Sequence, residues 1–103
     1  MKKTKTVTCV RCMIQDDLPT VLAIDAASFP VAWNAEDDLK NNLRQRNCIG
    51  MVVEQDNLVA GFIVYTLHKN RMSILRFAVD PAKRRLGFGR KIIEKMIVKL
   101  SQQ

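Results

Sequence analysis

The run Phe77-Ala78-Val79-Asp80-Pro81, followed after two residues by Arg84-Arg85-Leu86-Gly87-Phe88-Gly89-Arg90, decides how this chain is read. Residues 72–79 are apolar and β-rich, and Asp80-Pro81 stops them. Beyond the glycines, Ile92, Ile93, Met96, Ile97 and Leu100 recur at helical spacing, with Lys91, Glu94, Lys95 and Lys99 between them. That pattern predicts an amphipathic helix over residues 88–100, with the first set buried and the second facing out. A basic, glycine-bearing loop therefore joins a strand to a helix N-terminus. The first turn of a helix has free N–H groups and the positive end of the dipole, so it can hold a phosphate. Gly87 and Gly89 admit unusual dihedrals and let the backbone approach an anion closely. Arg84, Arg85 and Arg90 add charge suited to bidentate phosphate contact. A dinucleotide fingerprint would need a third glycine, and a P-loop would need Gly-Lys followed by Ser or Thr; neither is present.

Upstream of this stretch lie two more β-rich runs, residues 49–54 and 58–67, joined at Asp56-Asn57, a good hairpin turn. Lys69-Asn70 marks the next turn, so the three runs form an antiparallel meander. Their near-continuous apolar character predicts cover on both faces. Residues 7–14 predict a first strand, and Asp16 or Asp17 an N-cap, with Pro19 in the first turn of the helix that follows. Leu18, Val21, Leu22 and Ile24 give that helix its period, and Pro30 ends it. Asn34 opens a second helix, with Asp37 at capping-box spacing and Leu39 and Leu43 inside. The expected order is β-α-α-β-β-β-α, with no repeats, linkers or low-complexity tracts.

A chain of 103 residues has room for one domain with a modest core. The formal charge of +7 points to an anionic partner, and the excess sits in residues 83–99. The start, Met1-Lys2-Lys3-Thr4-Lys5, is basic, but polar residues follow in place of an apolar secretion-signal core, so a cytoplasmic location is expected. No apolar run is long enough to span a membrane. Cys9, Cys12 and Cys48 are read as buried or half-buried free thiols. The Cys9-Val10-Arg11-Cys12 spacing lacks the second ligand pair that zinc requires, and residues three apart on a strand face opposite ways.

The loop resembles the acetyl-CoA motif of the GNAT N-acetyltransferase family, Q/R-x-x-G-x-G/A after a strand ending in A-V-x-P. Met13-Ile14, Asp17-Leu18-Pro19, Ile24-Asp25, Ser28-Phe29-Pro30 and Trp33 resemble the first strand and helix of its RimI-type branch, which acetylates protein N-termini. Glu54-Gln55-Asp56-Asn57-Leu58-Val59-Ala60-Gly61-Phe62 is similar to the family's central hairpin. The resemblance implies an α+β fold, the N-terminal part of an acyl-CoA N-acyltransferase fold, with a mixed, mostly antiparallel sheet flanked by helices. It implies one domain over residues 1–103, C-terminally incomplete. Acetyl-CoA would be the co-substrate, with no metal, and the acceptor would be a protein or peptide amine. The backbone of Phe77, Ala78 and Val79 would bond the pantetheine arm. The amides of Arg85, Leu86, Gly87, Phe88, Gly89 and Arg90 would hold the pyrophosphate, with Arg84 at the motif's first position. Leu86 departs from the family, which often has Arg or Lys there.

The family's general base, a glutamate, and general acid, a tyrosine, would lie past Gln103. Glu54, Tyr65 and His68 do not match their positions, and Tyr65 and His68 read as ordinary sheet and turn residues. Trp33 falls where the family shapes its acceptor groove, although simple core packing explains it equally well. Two other readings stand beside the enzyme. One is a non-catalytic module that binds coenzyme A or a protein, with a homodimer forming through an exposed sheet edge. The other is a nucleic-acid binder that uses the basic helix, supported by charge but by no recognised motif.

Overall fold

The computed structural model describes residues 8–28, 35–69, 71–83 and 87–101. The expectations for residues 29–34 and 84–86, Phe29, Pro30, Trp33, Asn34, Arg84, Arg85 and Leu86 among them, lie outside these. So does Asn70.

Strand β1, Thr8–Cys12, is shorter than the sequence suggests. Met13 still donates to the Gly50 carbonyl at 2.9 Å. Then the Ile14 amide is captured by the Asp17 carboxylate at 2.8 Å, and a single 3-10 turn, Gln15–Asp17, takes over. Asp17 thus caps the turn behind it, and α1, Leu18–Ser28, follows directly with Pro19 in its first turn. Val21 and Ile24 are buried, Leu18 and Leu22 half-buried. Helix α2, Ala35–Leu43, buries Leu39 and half-buries Leu43.

Strands β2 (Cys48–Gln55), β3 (Leu58–His68) and β4 (Arg71–Val79) complete a sheet ordered β1-β2-β3-β4. Every pairing described is antiparallel. Asp56 and Asn57 both take positive φ, 52° and 70°, as a two-residue turn between twisted strands requires. Between β3 and β4 the register shifts: Val64 faces Arg76 and Tyr65 faces Ile74, so Leu75 is an extra, bulged residue.

Helices cover both faces of the central hairpin. Val52, Phe62, Val64 and Ala78 pack with Val21, Ile24 and Leu39 from α1 and α2. Met51, Val53, Ile63 and Tyr65 pack with Phe88, Ile92 and Met96 of α3, Phe88–Ser101. Ile97 was expected in that buried stripe, yet it is 56% exposed. A residue adds about 100° around a helix, so a face centred on Phe88, Ile92 and Met96 turns Ile97 toward solvent. Long-range charge completes the frame. Asp25 of α1, 1% exposed, takes two bonds from Arg76 of β4, at 3.0 and 2.9 Å. Arg11 grips Asp17 at 2.8 and 2.9 Å and reaches Glu54 at 3.1 Å.

Candidate functional site

The end of β4 is pinned before the chain turns toward α3. The Asp80 amide donates to the Ala60 carbonyl at 2.7 Å, and its carboxylate accepts the Ala82 amide at 3.0 Å. Pro81–Lys83 then forms a 3-10 turn, closed by Lys83 N–H to the Asp80 carbonyl at 2.8 Å. The Lys83 ammonium reaches Gln55 at 3.2 Å, tying the turn to the end of β2. Sequence reasoning passed over this anchoring role of Asp80 and Lys83. Its signal was present in the chain, since Asp before Pro commonly bonds the backbone two residues on.

The two loop glycines are needed for different reasons. Gly87 has φ of 85°, a region that L side chains rarely adopt, although a Cβ there would meet nothing within 4 Å. Gly89 is a close approach: a Cβ would lie 3.1 Å from the Phe77 ring and 3.6 Å from Val79. The first turn of α3 therefore rests on the last residues of β4. The first α-helical bond in α3 runs from Lys91 N–H to the Gly87 carbonyl at 3.1 Å. The amides of Phe88, Gly89 and Arg90 come before it, where helix geometry provides no acceptor within the helix.

The structure thus brings Phe77, Val79, Gly87, Phe88, Gly89 and Arg90 together. Phe88 is buried in the core and anchors the helix, so only its backbone faces the loop side. Ala78 is buried on the opposite face, against α1, and likewise has only its backbone to offer. Arg90 is exposed and lies 3.9 Å from Glu94, one turn on. A helix start of this kind, with unpaired amides and the positive end of the dipole, has the chemistry that suits an anion.

The ionisable residues weighed from the sequence are engaged elsewhere. Glu54 is bonded to Arg11. Tyr65 is fully buried, its hydroxyl 3.9 Å from the Met51 sulfur, and burial pushes its phenol pKa up. His68 lies 3.2 Å from the Thr66 hydroxyl. The cysteine expectation needs correction for two of three: Cys9 and Cys12 are exposed, because β1 is an edge strand, while Cys48 is buried. Among the described residues no group of His, Cys, Asp and Glu could hold a metal ion, and no helix is long and apolar enough to cross a membrane.

Comparison with known proteins gives these geometric features a family. A model described as "Acetyltransferase (GNAT) family" matches residues 18–103. No match was found among curated proteins. Among solved structures, the ribosomal-protein-S18-alanine N-acetyltransferase from Escherichia coli superposes with a TM-score of 0.77 at 20% identity, over 93% of this chain and 61% of that one. The aminoglycoside acetyltransferase meta-AAC0020 from an uncultured soil metagenomic sample gives 0.74 at 20% identity, over 92% and 70%. A GNAT family acetyltransferase from Brucella melitensis, solved in complex with acetyl-CoA, gives 0.74 at 23% identity, over 93% and 70%. The chain therefore spans less than two thirds of the E. coli enzyme, and these likenesses concern the fold.

Proposed function

The chain belongs to the acetyltransferase (GNAT) family, and we propose that it carries the acetyl-CoA half of an N-acetyltransferase site that acts on a protein or peptide amine. One observation carries this reading: the first turn of α3 is seated on the end of β4, with Gly89 against Phe77 and Gly87 at positive φ. The amides of residues 87–90 would hold the pyrophosphate, helped by Arg90 and by Arg84, Arg85 and Leu86 of the same loop. The backbone of Phe77, Ala78 and Val79 would bind the pantetheine arm along the outer edge of β4, the last strand of the sheet. Acetyl-CoA supplies an activated acyl carbon, and these residues bind and orient it.

Proton transfer would fall to residues other than Asp80, Lys83 and Glu94. Asp80 is occupied with its own turn, Lys83 with Gln55, and Glu94 faces Arg90. The chain by itself should therefore bind coenzyme A without turning over acetyl-CoA. The RimI-like acceptor rests on the resemblance of residues 13–33. Enzymes with this fold acetylate both a ribosomal-protein alanine and aminoglycosides, so both kinds of amine belong in the assay.

The deciding experiment is calorimetry with coenzyme A. Binding should weaken as salt rises. Gly89→Val, which forces a side chain into the Phe77 ring, should weaken it at least about tenfold, with the fold checked by circular dichroism. Lys95→Ala, further along α3, should change it by less than about threefold. Equal effects of the two substitutions would refute the loop assignment.

A second reading is favoured by β4 itself. Among the described strands β4 is an outermost one, and its Ile74, Leu75 and Phe77 are 48%, 40% and 36% exposed. A module that associates through this edge, as a homodimer, would pair those backbone groups and cover the apolar side chains. Sedimentation at micromolar concentration should then show dimers, and a monomer would exclude it.

A further inference from the structure

A second cleft lies away from the loop, where the start of α1, the end of α2 and the beginning of β2 meet. Its volume is about 520 Å³, within the roughly 300–1,000 Å³ typical of small-ligand sites. Met13, Leu18 and Leu43 form an apolar lining, and Cys48 lies at its floor. Gly50 makes this floor possible, because a Cβ there would sit 3.0 Å from Leu43 and 3.3 Å from Met13.

The rim differs in character. Lys40 in the last turn of α2 and Arg44 just past its end both line the cleft and both are exposed, and Lys40 also has a contact of its own. The first turn of α1 brings the positive end of its dipole, which offsets the negative end of α2. Ile14, 56% exposed, lines the same cleft, as does the polar Gln15. The position of Ile14 is not a matter of chance packing. The Ile14 amide is held by Asp17, and Asp17 is gripped twice by Arg11, so an apolar side chain is kept at the rim of a cleft by a rigid polar network. An apolar lining, a fixed apolar wall and two cations complement one kind of molecule.

We propose that the α1–α2 cleft binds a single-chain amphiphilic anion, with its apolar chain against Met13, Ile14, Leu18 and Leu43 and its carboxylate at Lys40 and Arg44. This site is independent of the coenzyme loop, so its failure would leave that assignment untouched. The probe is decanoate below its micellar concentration, titrated into methyl-labelled protein and followed by NMR. Saturable shifts are expected at the Ile14, Leu18 and Leu43 methyls, with Ile97 unmoved. Replacing both cations, Lys40→Glu with Arg44→Glu, should weaken binding about tenfold or more. Decyltrimethylammonium, with the same chain and the opposite charge, should bind at least about tenfold more weakly than decanoate. Alkylation of Cys48 should slow when decanoate is present, while Cys9 and Cys12 react at unchanged rates. Shifts at Ile97 and Leu58 as large as those at Ile14 would overturn the proposal. So would equal binding of the two detergents, or an unchanged affinity in the doubly substituted protein.

Discussion

The central hairpin and the β4 edge are built from the same pairing but do different work. In β2 and β3 both faces are covered, so Met51, Val52, Val53, Phe62, Ile63, Val64 and Tyr65 are all inaccessible to solvent. In β4 only Ala78 is buried, although the strand carries Met72, Ile74, Leu75, Phe77 and Val79 as well. An apolar sequence is therefore not the same thing as a core. Burial on two faces needs a helix on each side, and the helices are centred on the hairpin. Both outer strands, β1 and β4, are left half-covered, and β4 is the one whose end meets the helix start at Gly89.

The sharpest way to break that contrast is a pair of truncations. Phe62→Ala, at the centre, should destabilise by about 3–5 kcal/mol, and Phe77→Ala, at the edge, by about 1–2 kcal/mol. Urea denaturation measures both, and similar values would mean that the edge is as much core as the centre.

Asp25→Ala tests whether charge, rather than apolar cover, holds β4 to α1. It would leave the Arg76 guanidinium without its carboxylate partner at 2.9 Å, a loss of about 3 kcal/mol. A stability equal to the parent's would show that the ion pair adds nothing, and that β4 is held by its pairing with β3 and the packing of Ala78 against α1.

The smallest effect concerns acid. The Arg11 guanidinium holds the Asp17 carboxyl below its ordinary pKa of 3.8. A group whose pKa is lower in the folded state stabilises above its unfolded value and loses that contribution as pH falls through the folded one. Stability should therefore fall as pH drops below about 4 and this carboxyl takes up its proton. Asp17→Asn should flatten that part of the pH profile. An unchanged profile would locate the acid sensitivity elsewhere.

Part of the site is legible in the residues alone. Gly87 is readable because a strand, a basic loop and an amphipathic period leave little else for a glycine to do at that point. The reason for Gly89 is not readable: its neighbour is Phe77, and only the packing of α3 on β4 puts them together. The same holds for Ala78 and Phe88, whose side chains turn into opposite layers of the core and leave the site only their backbones.

The features that follow directly from the order of residues are local: the Asp56-Asn57 turn, the stops at Asp80-Pro81, and the amphipathic periods of the helices. Each depends on dihedral preferences and spacing within a few residues, which the chain carries wherever it goes. Packing in three dimensions settled the rest: that Ile97 faces out, that β1 ends at Cys12, that Leu75 bulges, and that Arg76 meets Asp25 across 51 positions of sequence. These outcomes depend on which surfaces two helices of finite length can cover, and on where a buried carboxylate finds a cation. Both are set by contacts between segments distant in the chain, which no local pattern of residues records.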